Sequence, residues 1–316
     1  MEIASQQKLL CTSHVDYNPM GLFAEFLEVM NQLIYSKIQN GTYDDTLAVE
    51  WGANNLYYDE TVGTNAWEYY FTPLFGTPVK PGGVCAPPIW GHYHNPHKTT
   101  WGPLSVHRNE LSKDKYVRQV KNEILGHITS FRPEVRQSLD EARAELLRDY
   151  KTVGLHRRTT DWQHGPILNI NDFFNELDPW VDKDYRVFIA TDHPLQIELF
   201  SARYGDRLLY HDVCRGTNNK GQPMQGTCKS PAHHGYEALL DAFTLSKTTV
   251  RLATSSNLST FAQMLNPDQE LLQGLWPTVH ALEWENGYYA PVYRKKYEGW
   301  PNRAGWGQGP GDPSIK

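Results

Sequence analysis

Three stretches in the second half of the chain each carry an apolar run into residues that can do chemistry. The first reads Val153-Gly154-Leu155-His156-Arg157-Arg158-Thr159-Thr160-Asp161-Trp162, passing into an imidazole, two guanidiniums, two hydroxyls and a carboxylate. Alternation along a strand sends His156 and Arg158 to one side. A guanidinium at a strand end can bind a diphosphate through paired hydrogen bonds and stabilise the charge a departing phosphate gathers. Arg158 is the candidate for that work; the structural use of the same side chain is an ion pair with Asp161 or with a helix carboxylate.

The second stretch ends Thr191-Asp192-His193-Pro194. Thr191 or Asp192 is placed to cap the helix that Pro194 begins, and Asp192 is alternatively a donor-site ligand. The third ends Ala253-Thr254-Ser255-Ser256-Asn257-Leu258, hydroxyls and an amide at a helix start, where free N–H groups and the helix dipole favour an anion. A cap needs one of these residues, so Ser255, Ser256 and Asn257 are all candidates for holding phosphate.

Asp241 interrupts the apolar pattern of a helix, where Asp is a poor helix former. A buried carboxylate needs donors, and either the adjacent N–H groups of a guanine edge or a Lys or Arg would supply them. His92, His94 and His97 invite a zinc reading, but no carboxylate or Cys completes a familiar spacing, so no metal is expected. Asp182-Lys183-Asp184 has the look of a cation-binding pair yet precedes a strand, which is the wrong end for a ligand, and reads as a solvated turn. The chain has no GxGxxG after a strand, no GxxxxGK[ST] and no GxSxG, so dinucleotide oxidoreductases, P-loop ATPases and α/β-hydrolases lose their usual support.

The elements that position these residues alternate from Lys151 onward. Strands are expected at Thr152 to His156, Tyr185 to Ala190, Arg207 to His211 and Thr248 to Ala253, with helices at Pro194 to Tyr204, Tyr236 to Ser246 and Asn257 to Leu265. That alternation means a doubly wound parallel sheet, whose ligands bind outside the carboxyl ends of the strands. Upstream, Leu22, Phe23, Phe26, Leu27, Met30, Leu33, Ile34 and Ile38 recur at helical spacing before a buried strand at Thr46 to Trp51. Tyr57 to Leu104 reads as a functional loop region, and helices are expected at Lys113 to Ile128 and Pro133 to Tyr150. Leu271 to Trp276 and His280 to Tyr297 are read as closing helices that return to the first half.

A length of 316 residues favours about two domains, placed at 1–150 and 151–280 with a closing segment at 281–316. Hydrophobic residues at 40% and charged residues at 21% exclude a disordered chain. Lys and Arg total 30 against 36 Asp and Glu, without a basic run, which argues against a nucleic-acid partner. Met1 to Leu10 has no secretory apolar core and no stretch approaches the ~20 apolar residues of a membrane span, so a cytoplasmic protein is expected. The four cysteines lack zinc spacing and are expected as free thiols, with Cys214 to Cys228 the locally plausible bridge.

Taken together, His156-Arg157-Arg158 through Trp162, Phe188 to Asp192, and Glu237 to Ser246 with Thr254 to Ser259 resemble, in order, three motifs of the fucosyltransferase superfamily of GT-B fold. Pro19-Met20-Gly21-Leu22-Phe23, Val49-Glu50-Trp51 and Asn54 to Tyr58 are similar, more loosely, to its amino-terminal domain. The resemblance implies two Rossmann-like α/β domains facing a cleft and a GDP-sugar donor in the second. Arg158 would sit on the β-phosphate, Asp241 on guanine and Ser255 and Ser256 near the pyrophosphate, while His156 seats the nucleotide and Gly21 lets a loop approach it. It further implies transfer of fucose or a related deoxyhexose to a glycan or other hydroxyl, with inversion and without metal or cofactor. Glu50, Asp161 and the His92 to His97 group, in that order, are candidates for the base. Thr159 stands where the α1,6-type enzymes carry a second consecutive arginine. A sugar-nucleotide epimerase or phosphorylase on the same fold and an inactive nucleotide-sugar-binding module are the other readings.

Overall fold

The computed structural model describes residues 7–11, 21–42, 47–80, 83–85, 126, 130–158, 170–216, 229–252, 256–266 and 269–272. Two units compose the chain, Met1–Ser138 with Ser230–Tyr236, and Leu139–Lys229 with Glu237–Lys316.

The first unit contains a three-stranded parallel sheet in the order β2-β1-β3, formed by β1 (Lys8–Cys11), β2 (Ala48–Glu50) and β3 (Val84–Cys85). Helix α1 (Leu22–Asn40) buries Leu22, Phe26, Leu27, Met30 and Leu33, the expected apolar face. Its start is held from outside, because the Leu22 N–H donates to the Tyr57 hydroxyl at 3.0 Å and relieves one of the orphan donors of a helix start. Trp51, Trp67 and Phe26 pack edge-on and stacked at 5.1 and 5.9 Å, beside the short helix α2 (Trp67–Tyr70). Asn65 ties this cluster to β2: its carbonyl accepts the Trp51 N–H at 2.9 Å and its amide donates to the Val49 carbonyl at 2.8 Å. A buried amide so fully used is an asset rather than a desolvation cost.

Free thiols are not found among the described cysteines. Cys11 and Cys85 form a disulfide with their Cα atoms 5.4 Å apart, and Cys214 is disulfide-bonded as well. The sequence hides the first pair because its 74-residue separation is closed only when β3 joins β1. Strands of four and two residues make a marginal sheet by themselves. The crosslink removes loop entropy from the unfolded chain, about 4 kcal/mol for a loop of this size on the chain-entropy account.

The second unit holds the expected doubly wound sheet, all parallel, in the order β6-β5-β4-β7-β8. Its strands are β4 (Thr152–Arg157), β5 (Arg186–Thr191), β6 (Leu208–Leu209), β7 (Val250–Leu252) and β8 (Glu270–Leu272). One face packs Val153, Leu155, Val187 and Ile189 against α4 (Ile170–Val181) and α5 (Pro194–Tyr204) through Phe173, Leu177 and Phe200. The other packs Phe188 and Ala190 against α3 (Pro133–Leu147), α6 (Pro231–Leu245) and α7 (Asn257–Leu265) through Leu147, Leu245 and Ala262. Both faces are covered, which is why these strands read as nearly continuous apolar runs. Gly154 is set by this packing: a Cβ there would fall 2.5 Å from Thr248 Oγ1 and 2.8 Å from Leu245 Cδ1.

Leu271 and Leu272 were expected in a closing helix; they lie in β8, paired with β7. Three residues at an edge, one acid and two leucines, give too short a pattern to separate strand from helix. Helix α6 starts at Pro231, before the expected Tyr236, since His233, His234 and Gly235 break the apolar period without breaking the helix. The expected helix at Lys113 to Ile128 lies almost wholly outside the described residues. From β4 the chain proceeds to β5 and β6 on one side, then returns to β7 and β8 on the other, so the order reverses between β4 and β7. In open α/β sheets that reversal is where ligands bind, past the carboxyl ends of the two strands.

Alkylation of the native, unreduced protein is expected to leave Cys11, Cys85 and Cys214 unlabelled in a peptide map, with all three labelled after reduction. Reduction should also lower the urea midpoint. Ready labelling of Cys11 without reductant would contradict the pairing.

Candidate functional site

The carboxyl end of β4 separates its two arginines. Arg157 is buried, donates from Nε to Gln196 Oε1, and lies with its guanidinium 4.4 Å from the centre of the Phe173 ring. It fastens β4 to the helix layer. Arg158, one residue past the strand, is exposed. Its charge reaches the His156 ring, in keeping with the shared side that alternation gives them.

His156 is buried, and Nδ1 lies 2.6 Å from Ser256 Oγ and 3.3 Å from Ser259 Oγ. Burial first, then the Arg158 and Arg251 guanidiniums, push the imidazole down to about 3, so it is neutral at physiological pH. Arg251, in β7, is itself buried and donates to the Ser259 carbonyl at 2.6 Å. Ser256 is the N-cap of α7, accepting the Ser259 N–H at 3.0 Å, and half-buried Asn257 is the first residue of that helix. The β4 and β7 ends thus bring together His156, Arg158, Ser256 and a helix N-terminus at the point where the strand order reverses.

Asp241 stands elsewhere in the same unit, on α6. Its carboxyl is 5% exposed and Oδ1 has no hydrogen-bond partner. Burial raises its pKa to about 7, opposed by the nearby Arg215 and reinforced by Glu237. Arg215 belongs to the segment after β6, where it donates to the Val213 and His211 carbonyls and lies 5.6 Å from the Tyr210 ring centre. Glu237 Oε2 accepts the Cys214 N–H at 3.2 Å, and Thr244 Oγ1 lies 2.8 Å from Nε2 of buried His211. Glu237, Asp241 and Thr244 fall at i, i+4 and i+7 on an apolar helix. Of these, Asp241 was readable in the sequence as a misfit in an apolar helix; Arg215 and His211, which meet the helix from a loop, were not.

Other expectations fare differently. Neither Thr191 nor Asp192 caps α5: His193 does, with Nδ1 accepting the Leu195 N–H at 3.1 Å, because Pro194 at the first position leaves Leu195 as the next donor in reach. The Asp192 carbonyl accepts the Gly216 N–H at 2.8 Å, and its side chain is half-buried. Gly21 is exposed at the start of α1, where a Cβ would meet nothing closer than the Tyr57 hydroxyl at 3.9 Å; space does not require glycine there. Half-buried Glu50 ends β2, with Oε2 3.5 Å from Cys11 Sγ; the bridged sulfur has no proton to give, so this is a contact rather than a hydrogen bond. Asp184 is exposed in the turn before β5, facing Arg207 at 3.6 Å. Asp161, Ser255 and the His92 to His97 group lie outside the described residues.

Neither a protein-family model nor a curated protein matches the chain. Solved structures do. The fucosyltransferase NodZ from Bradyrhizobium matches with a TM-score of 0.50 and 14% identity, over 84% of this chain and 95% of that one. The NodZ α-1,6-fucosyltransferase co-crystallized with GDP matches at 0.46 and 14%, over 83% and 93%. NodZ soaked with GDP-fucose matches at 0.46 and 13%, over the same shares. The fold is fucosyltransferase-like, as the sequence motifs implied.

Because Asp241 titrates higher in the folded chain than its unfolded 3.8, the folded state keeps a proton that the unfolded state releases. The stability this group contributes is present below about pH 4 and is lost as pH rises to about 7, at about 1.4 kcal/mol per unit. Asp241→Asn is therefore expected to gain on the wild type by up to roughly 4 kcal/mol between pH 4 and 8. Paired urea melts at the two pH values cancel the histidine contributions, and a constant difference would remove the buried-acid assignment.

Proposed function

We propose that the chain is an inverting, metal-independent glycosyltransferase that moves fucose or a related deoxyhexose from a GDP-sugar to a hydroxyl of a glycan. The observation that carries this reading is the buried Asp241 oxygen without a partner, an acceptor awaiting donors. The adjacent N1–H and N2–H of guanine supply two, and uracil has no equivalent pair. The fold of the Bradyrhizobium fucosyltransferase supports the same reading.

In this reaction the acceptor oxygen attacks the anomeric carbon while the bond from that carbon to the β-phosphate oxygen breaks. The bonding pair leaves with GDP, and the sugar passes through an oxocarbenium-like transition state. Arg158 neutralises the charge growing on the leaving diphosphate, and the start of α7 lends its N–H groups to the same anion. Glu50 takes the acceptor proton, and Asp161 is the second candidate for that step. A single displacement inverts the anomeric centre. Disulfides persist in oxidising compartments, so the bridged cysteines favour such a compartment over the cytoplasm. Among the described residues no helix is long and apolar enough to cross a membrane.

Arg158→Ala is expected to lower transfer by at least about a hundredfold to a thousandfold with unfolding unchanged, as for other donors to a developing anion. Near-normal transfer by this variant would refute its role. Calorimetry should show GDP bound and UDP not. GDP binding by the wild type without transfer to any acceptor would instead mark a nucleotide-binding module. Since guanine requires ionised Asp241, GDP binding should release a proton below about pH 7 and weaken about tenfold per unit of further acidification. Asp241→Asn should abolish that dependence.

A further inference from the structure

The three strands of the first sheet end on residues that share one chemistry. Cys11 is the last residue of β1, Glu50 of β2 and Cys85 of β3, and their ligand atoms all lie within 4.8 Å of one another. The parallel register sets Cys11 beside Glu50 and joins β3 to the other edge of β1. Carboxyl strand ends at a reversal of strand order are where an open α/β sheet takes a ligand. The Cys11–Cys85 bond fills that place in the oxidised chain, and Glu50 gains nothing from it. Its Oε2 faces a sulfur that has no proton, and among the described residues no other group donates to the carboxylate.

Two thiolates and a carboxylate are a zinc ligand set. Around a tetrahedral zinc ion, a sulfur at about 2.3 Å and an oxygen at about 2.0 Å lie about 3.5 Å from each other. Glu50 Oε2 and Cys11 Sγ already stand 3.5 Å apart, and Cα atoms 5.4 Å apart keep the second sulfur within reach of the same ion.

We propose that Cys11, Glu50 and Cys85 form a zinc site in the reduced protein, with water in the fourth position. A dithiol reductant passes two electrons and two protons to the bridge and becomes a disulfide itself. The two thiols then release those protons as Zn²⁺ binds, because the thiolate is the ligand, and no further electron moves. Strands this short hold together poorly without help. Zinc replaces the lost crosslink, so β3 stays fastened to β1 in either redox state. The site does not depend on the glycosyltransferase reading: Glu50 acts as the base of that reaction in the bridged chain and as a ligand in the reduced one.

The test uses the full chain reduced by a dithiol, freed of reductant and metal without air, and titrated with Co²⁺ as a spectroscopic stand-in for zinc. One equivalent should give a thiolate-to-cobalt band and the visible bands of a tetrahedral ion, both erased by Zn²⁺. The oxidised chain should give neither. Cys11→Ser/Cys85→Ser should lose the thiolate band although Cys214 and Cys228 remain. Glu50→Gln should keep the band and weaken binding by more than the roughly 10- to 100-fold that an outer-shell partner is worth. In thermal melts zinc should raise the midpoint of the reduced chain and leave the oxidised one unchanged. Should the reduced chain unfold, zinc present during reduction should keep it folded. No thiolate band, an undiminished band in the double serine variant, or unchanged affinity in Glu50→Gln overturns the proposal. So does zinc that stabilises the oxidised chain as much as the reduced one. GDP binding and transfer by the bridged chain decide the glycosyltransferase reading separately, so either can fail without the other.

Discussion

A strand buried on both faces can keep a polar side chain only where a partner satisfies it, and β4 gathers such side chains at its carboxyl end. Each of its six residues is buried, and the switch from apolar to polar comes at its last two. Those two had to be made safe for burial. Arg157 is satisfied by Gln196 and the Phe173 ring, and His156 gives up its charge. Only with the next residue, Arg158, does a cation reach the surface. The alternation that carries Val153 and Leu155 into one core layer thus determines which arginine lies against the helix layer and which lies past the strand at the surface.

The two sheets reverse strand order in the same way and finish it differently. In the first, the reversal falls between β1 and β3, and their last residues, Cys11 and Cys85, are joined covalently. In the second it falls between β4 and β7, where His156, Arg158 and the capped start of α7 gather. A ligand crevice needs two strand ends that part. The disulfide closes that position in the first unit, and a polar cluster occupies it in the second.

Where local chemistry decided structure, the sequence was legible. Helices α5 and α7 match the expected Pro194 to Tyr204 and Asn257 to Leu265, since a proline at the first turn and a serine cap mark their starts. Strands β4 and β5 fall within a residue of expectation at each end. Pairing between distant segments was not legible. Strand β1 has four residues, β3 two and β8 three, and each exists only because a partner lies beside it. The site divides along the same line. Asp241 announced itself as a misfit in an apolar helix, but the Arg215 that faces it lies in a loop without pattern. Ser256 was legible as a cap, and its bond to His156 spans 100 residues. The His193 cap was missed because imidazole is a less common choice than the Thr and Asp beside it.

Charge of opposite sign marks the two polar clusters of the second unit. Around the β4 end the fixed charges are guanidiniums, Arg158 and Arg251, with a neutral ring between them. Around α6 the charges of Arg215 and Glu237 both bear on Asp241, and burial makes Asp241 reluctant to ionise without further donors. On the proposed reading a guanosine diphosphate answers both at once, its anionic end meeting the cations and its N–H edge meeting the acid. A nucleotide with the same diphosphate and a base lacking that edge would satisfy the first cluster and strand the second with a buried, unpaired carboxylate. Discrimination among nucleotides then comes from the penalty of leaving Asp241 unsatisfied, which is larger than the gain from satisfying it. On that reading the diphosphate supplies affinity, and the buried acid supplies choice.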